Sequence, residues 1–166
     1  MASRTVEQVE FKKALGQFPS GVAVLTANTN DEPVGMTIQS LVSLSLDPLL
    51  VMFSIANTST SWPAMSATGN LVINVLARNQ STLGLRFASR APNRFEGVAF
   101  TPSPSGGHPV LEGTVAWMEC RIVSELPGGD HRIVLAEPID VNCLPGREPL
   151  VYFNSGFGGF RADQVR

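Results

Sequence analysis

The sequence predicts a mainly β fold, a small barrel with a few flanking helices. Three observations carry that expectation. Short apolar runs follow one another quickly, "GVAVLT", "PVGMTI", "PLLVMFSI" and "NLVINVL", rich in β-branched residues and punctuated by Gly, Pro and Asn. Further on, two longer alternating runs meet at the turn sequence "PGGD". No strand–helix–strand rhythm separates the runs, which argues against a doubly wound parallel sheet. A chain of 166 residues has the length of one domain, with about two-thirds of its unfolded surface available for burial.

Taken in order, "TVEQVEFKKALGQF" opens with Thr5 and Gln8 in capping-box spacing and places Phe11, Ala14, Leu15 and Phe18 at helical intervals. An amphipathic helix is expected there, ending near Pro19 and Gly21. The stretch "VGMTIQSLVSLSLDPLL" (34–50) then alternates like a strand. Thr37, Gln39, Ser43 and Ser45 share one parity with Leu41, and Ile38, Val42, Leu44 and Leu46 share the other. A helix is expected after Ser61 as N-cap, with Pro63 in its first turn, and another over about 79–89 with Leu76, Leu83 and Phe87 on one side. "TPSPSGGHP" (101–109) reads as a loop. In "GTVAWMECRIVSEL", Ala116, Met118, Cys120 and Ile122 face one way and Trp117, Glu119 and Arg121 the other; "HRIVLAEPIDV" returns as its partner. "PLVYF" is the last strand, and 157–166 reads as a tail. The expected domain is thus 1–166, with its core over about 11–156.

Twelve Lys and Arg against fourteen Asp and Glu leave a formal charge of -2, so nothing electrostatic points to nucleic acid or an anionic membrane. No apolar run reaches the ~20 residues of a membrane helix. "MASRTVEQVEFKK" lacks the apolar stretch of a signal peptide, so a cytoplasmic location is expected. Charged residues make up only 16% of the chain, against ~25% in ordinary soluble domains, which suggests that part of the surface is covered by a second copy. Cys120 and Cys143 show no metal or redox spacing and are expected to be buried, inert thiols; no metal site is expected.

The sequence contains no GxGxxG, Walker, HExxH or GxSxG motif, and its only histidines are His108 and His131. An enzyme so equipped draws its hard chemistry from a bound cofactor. The row of neutral side chains over 37–45 would suit a flavin, whose carbonyls and ring nitrogens want uncharged donors and acceptors, although Ser and Thr on a strand also simply face solvent. Asn57, Thr58, Ser59, Thr60 and Ser61 crowd further donors before a helix, as either an anion site or an ordinary cap cluster. No Lys or Arg lies between Lys13 and Arg78, so a phosphate held there needs Arg78, Arg86, Arg90 or Arg94.

"LGQFPSGVAVLT", "PVGMTIQSLVSLSLDPLLVMFSI", "LVINVLARNQ", "RFA" with "NRFEG", "LEGTVAWMECRIVSE", "GGDHRIVLAE" and "PLVYF" resemble, in order and spacing, the flavin reductase family. These are split β-barrels of the FMN-binding, Greek-key type: NAD(P)H-dependent FMN or FAD reductases that serve two-component monooxygenases. The resemblance covers about residues 11–156. It implies a homodimer with flavin near the interface, held by Met36, Thr37 and Ser40, by the segment from Ile55 through Asn57 to Ser61, and by Gln80, Arg86 and Phe87. It places His131 of the Gly-Asp-His turn near the nicotinamide and Tyr152 close by. Family members often carry basic residues where this chain reads "NTSTS", which implies weaker hold on the flavin phosphate.

The expected activity is hydride transfer from NADH or NADPH to FMN or FAD, with reduced flavin passed to a partner monooxygenase. The two rings would be held at a near-attack separation of about 3–3.5 Å. His131 would position the nicotinamide. Two other readings fit the same residues: a non-catalytic flavin- or haem-binding split barrel, and a flavoprotein reductase of quinone or ferric substrates with tightly bound flavin.

Overall fold

The computed structural model describes residues 5–29 and 32–162. In chain order the elements are α1 (Gln8–Leu15), β1 (Ser20–Gly21), β2 (Ala23–Thr29), β3 (Glu32–Ile38), β4 (Val42–Leu46) and β5 (Leu49–Ala56). Then come α2 (Trp62–Ser66), β6 (Asn70–Val75), a 3-10 turn (Arg78–Gln80), α3 (Ser81–Ala88), β7 (Phe100–Pro102) and β8 (Pro109–Leu111). The long hairpin β9 (Ala116–Gly128) and β10 (His131–Cys143) follows, and β11 (Leu150–Phe153) and β12 (Gly156–Gly159) end the fold.

Seven strands form one antiparallel sheet in the order β3-β2-β6-β9-β10-β5-β4. Its two edges, β3 and β4, are consecutive in the chain, so the sheet must curl until they approach. At that seam a side chain replaces the backbone ladder. Ser40 Oγ accepts the Ser54 N–H of β5 at 2.9 Å and donates to the Ser54 carbonyl at 3.3 Å. A smaller sheet, β1-β11-β12, and the hairpin β7-β8 lie outside the main one.

The barrel interior is apolar: Leu25, Phe53, Ile55, Leu71, Ile73, Val134 and Ala136 are buried in one cluster with Trp62 and Met65 of α2. A second cluster of Val22, Val24, Leu76, Phe87, Leu111 and Leu150 packs outside β2. With both faces covered, β2 reads as a continuous apolar run rather than an alternating one. Gly35 of β3 permits this close packing, because a Cβ there would sit 2.7 Å from the Phe87 ring.

Several expectations need correction. The first helix begins after Glu7 with no side-chain cap, not at Thr5, and none of its residues is buried. Its apolar stripe, including Phe11 and Leu15, faces away from this chain's core. Val42, Leu44 and Leu46 do not share the buried side of Ile38; the bend over 39–41 resets the alternation and leaves them exposed on an edge strand. The loop expected over 101–109 has strands at both ends. Glu119 is fully buried, not outward, because that hairpin covers it: Glu119 Oε2 accepts the Ser105 N–H at 3.1 Å and Oε1 the Gly106 N–H at 2.5 Å. Cys120 is buried as expected, its thiol pushed up to about 12 by burial and by Glu119, but Cys143 is exposed. The expected tail contributes a strand, since β12 pairs with β11; residues 163–166 lie outside the described residues. Among the described residues no helix is long and apolar enough to cross a membrane.

Candidate functional site

A cleft of about 800 Å³ opens where α1, the β3 end, β5, β10 and the β11–β12 turn converge. Its lining is mostly neutral. Thr37, Gln39, Ser40, Ser54, Tyr152, Asn154 and Ser155 supply hydroxyl and amide groups, and Met36, Ile55, Leu15 and Phe18 supply apolar surface. His131 stands at one side. Among its described lining residues no Asp, Glu or Arg occurs, and Lys12 is the one permanent cation.

Each wall has a local cause. The β3–β5 seam presents Thr37, Ser40 and Ser54 together. Thr37 Oγ1 donates to the Gly84 carbonyl of α3 at 2.7 Å, so its hydroxyl is already a structural donor with its acceptor capacity left over. The β11–β12 turn is built on Asn154 and Ser155, both in the left-handed region at φ 45° and 64°, a conformation that costs a non-glycine residue about 1 kcal/mol or more. The turn is tied to the end of α1 by the Asn154 N–H, which donates to the Gly16 carbonyl at 2.9 Å. Tyr152 is steadied edge-on by Phe157 with ring centroids 5.2 Å apart.

His131 is the first residue of β10, directly after the tight turn. Its Nδ1 lies 2.7 Å from Asp130 Oδ1. The Asp130 carboxyl is held below its ordinary value by that hydrogen bond first, then by the His131 charge, with a smaller contribution from Lys12.

Of the residues expected to bind flavin, Met36, Thr37, Ser40, Ile55 and Tyr152 line the cleft together with His131. The others are placed elsewhere. Asn57 turns away: its N–H donates to the Asp130 carbonyl at 2.9 Å and its Nδ2 to the Gly129 carbonyl at 3.1 Å. Ser61 is the N-cap residue of α2 as expected but makes no side-chain cap bond; Ser59 Oγ accepts the Trp62 N–H at 3.2 Å instead, and its hydroxyl also reaches Met36 Sδ at 3.8 Å. Thr58 and Thr60 are exposed. Ser61 Oγ accepts Arg94 Nη2 at 2.6 Å.

The second helix region lies apart from the cleft except at Ala88. Gln80 binds the Ala77 N–H and the Glu112 carbonyl. Arg86 donates to the Glu96 carbonyl at 2.7 Å. Phe87 is 1% exposed and packs edge-on against Phe95, so it is core. Arg78 pairs with Glu148 at 2.7 Å, while Arg94 reaches the 57–61 loop at Ser61.

Sequence reasoning missed Lys12, Phe18, Ser54, Asn154 and Ser155. The Asn154-Ser155 pair carried a readable turn signal, whereas nothing local marked Lys12.

A mainly β barrel with a neutral, partly aromatic cleft is suited to an uncharged heteroaromatic ring. The Flavin reductase like domain family matches residues 15–161, and the chain belongs to that family. It is 34% identical over 165 residues to the flavin-dependent monooxygenase reductase subunit HsaB of Mycobacterium tuberculosis, covering 98% of this chain and 88% of that protein. It is 39% identical over 150 residues to the FMN reductase (NADH) SmoA of Agrobacterium fabrum, covering 90% and 84% of the two chains. The solved NADH:FAD oxidoreductase SgcE6 of Streptomyces globisporus, in complex with NAD and FAD fragments, superposes with a TM-score of 0.90 at 31% identity, covering 98% of this chain and 99% of that one.

Proposed function

We propose that this chain is an NAD(P)H:flavin oxidoreductase of one domain that supplies reduced FMN or FAD to a separate flavin-dependent monooxygenase. The observation that carries the reading is the cleft, whose neutral hydroxyl and amide lining can meet a flavin's carbonyls and ring nitrogens without burying a charge beside them. When bound, the flavin supplies the hydride-accepting chemistry. The chain's own residues hold and orient: Thr37 and Gln39 offer neutral polar groups, Ile55 and Met36 an apolar floor, and His131 a contact for the nicotinamide. No side chain in this scheme acts as nucleophile.

Arg94, anchored on Ser61 and the Phe87 carbonyl, is the cation proposed for the flavin phosphate. A homodimer belongs to the same reading. Val42, Leu44, Leu46 and Leu49 on the β4–β5 edge, with Phe11 and Leu15 of α1, form apolar surface that a charge-poor monomer would leave wet. A cytoplasmic location, where NAD(P)H is available, completes it.

The deciding experiment is anaerobic. Pure protein is mixed with NADH or NADPH and excess FMN, FAD or riboflavin, and flavin absorbance is followed; catalysed bleaching is expected, and none with any pair would overturn the assignment. Equilibrium sedimentation at micromolar protein should give a dimer.

A further inference from the structure

Asn57 clamps the turn that carries Asp130 and His131. Asn57 directly follows β5, whose Ser54, Ile55 and Ala56 line the cleft. Through its backbone N–H it holds the Asp130 carbonyl at 2.9 Å, and through its side chain it holds the Gly129 carbonyl at 3.1 Å. Two bonds on consecutive carbonyls fix a two-residue turn in position and in rotation. Gly129 has φ 75°, so the turn's conformation itself favours glycine there.

The second half concerns the imidazole. Asp130 is exposed and ionised, and a carboxylate can only accept. Its contact at 2.7 Å therefore requires His131 Nδ1 to carry the proton. In the neutral ring that leaves Nε2 as an acceptor. The complement of an acceptor beside a nicotinamide is an N–H donor, and the primary carboxamide on the ring carries one.

We infer that Asn57 and Asp130 are positioning residues for His131: Asn57 anchors the turn, and Asp130 sets the tautomer whose Nε2 accepts from the carboxamide NH₂ of the nicotinamide donor. This rests on the flavin reductase reading. It also reassigns Asn57, whose two donors serve the hydride donor's side of the cleft rather than the flavin. The strand under the flavin and the turn that greets the nicotinamide are thereby registered to each other by one residue.

The test compares two hydride donors, NADH and reduced 3-acetylpyridine adenine dinucleotide, in which a methyl group replaces the carboxamide NH₂. Their intrinsic reactivities differ, but the ratio of the two kcat/KM values can be compared across proteins. Asp130→Ala and His131→Ala should each lower that ratio about 2- to 10-fold, the range of one neutral hydrogen bond. Asn57→Ala, which keeps the backbone bond, should raise the KM for NADH with flavin Kd unchanged. Asp130 and Asn57 are exposed, so folding should survive both changes. A merely structural role would slow both donors equally, and an unchanged ratio in Asp130→Ala overturns the tautomer assignment. A weakened flavin Kd in Asn57→Ala would make Asn57 a flavin ligand and overturn the clamp. Failure of the wild type to reduce flavin with NADH, with NADPH and with the analogue alike would count against the reductase reading itself.

Discussion

Replacing Ser40 by Ala probes the barrel seam and the cleft at once. Its hydroxyl serves the Ser54 N–H at 2.9 Å and the Ser54 carbonyl at 3.3 Å, at the point where the β4–β5 ladder has ended at the Val42–Met52 pair. Alanine removes both bonds and adds no partner. The shorter contributes about 1 kcal/mol and the longer about 0.5, and the half-buried position lets water recover part of the loss. The net cost should be about 0.5–1.5 kcal/mol, or roughly 1–6 °C in Tm for a domain of this size. Because Ser54 and Ser40 both line the cleft, flavin affinity should fall with stability. Urea unfolding gives the first quantity and fluorescence titration with FMN the second. A variant with wild-type midpoint and wild-type FMN affinity would show that the seam does not depend on this hydroxyl and that the cleft is not the flavin site.

Other outcomes follow from the same structure. Gly35→Ala should destabilise by about 1–3 kcal/mol in urea, since its Cβ would meet the Phe87 ring at 2.7 Å and the Leu25 carbonyl at 3.0 Å. His108 accepts the Asn28 N–H at Nδ1, and burial lowers its pKa below the ordinary 6.5 against an opposing pull from Glu119. The folded state therefore prefers neutral His108, so its stabilisation is present above about pH 6.5 and is lost as pH falls from there toward the folded-state pKa; His108→Asn should flatten that slope in pH-dependent melts. Native protein treated with a maleimide at pH 7 should be modified at Cys143 and spared at Cys120, whose thiol is buried and pushed up to about 12; mass mapping checks it.

The strands, the two later helices and the "PGGD" hairpin turn were legible because periodicity and punctuation are local properties of the chain. So was the neutral row around Thr37 and Ser40, which needs only residue type and spacing to be recognised as unusual. The family resemblance added Tyr152 and His131 to that row, and both lie on the cleft. What periodicity cannot say is what covers a given face. Glu119 alternates like a solvent-facing residue, yet a hairpin from earlier in the chain folds over it and supplies two N–H donors. Phe11 and Leu15 form a helical stripe that stays exposed rather than entering the core, with Leu15 at the cleft. Phe87 stands beside Arg86 in sequence, but packing around Gly35 takes its ring into the core. Asn57 looked like one more donor in a polar loop, and its partners lie 72 residues away on a turn that only the β5–β10 pairing brings within reach. Composition and spacing thus determined the fold class and the polar character of the cleft. Tertiary structure alone decided which donors are already spent on the protein itself, because hydrogen bonds between distant segments depend on strand register and leave no trace in local sequence.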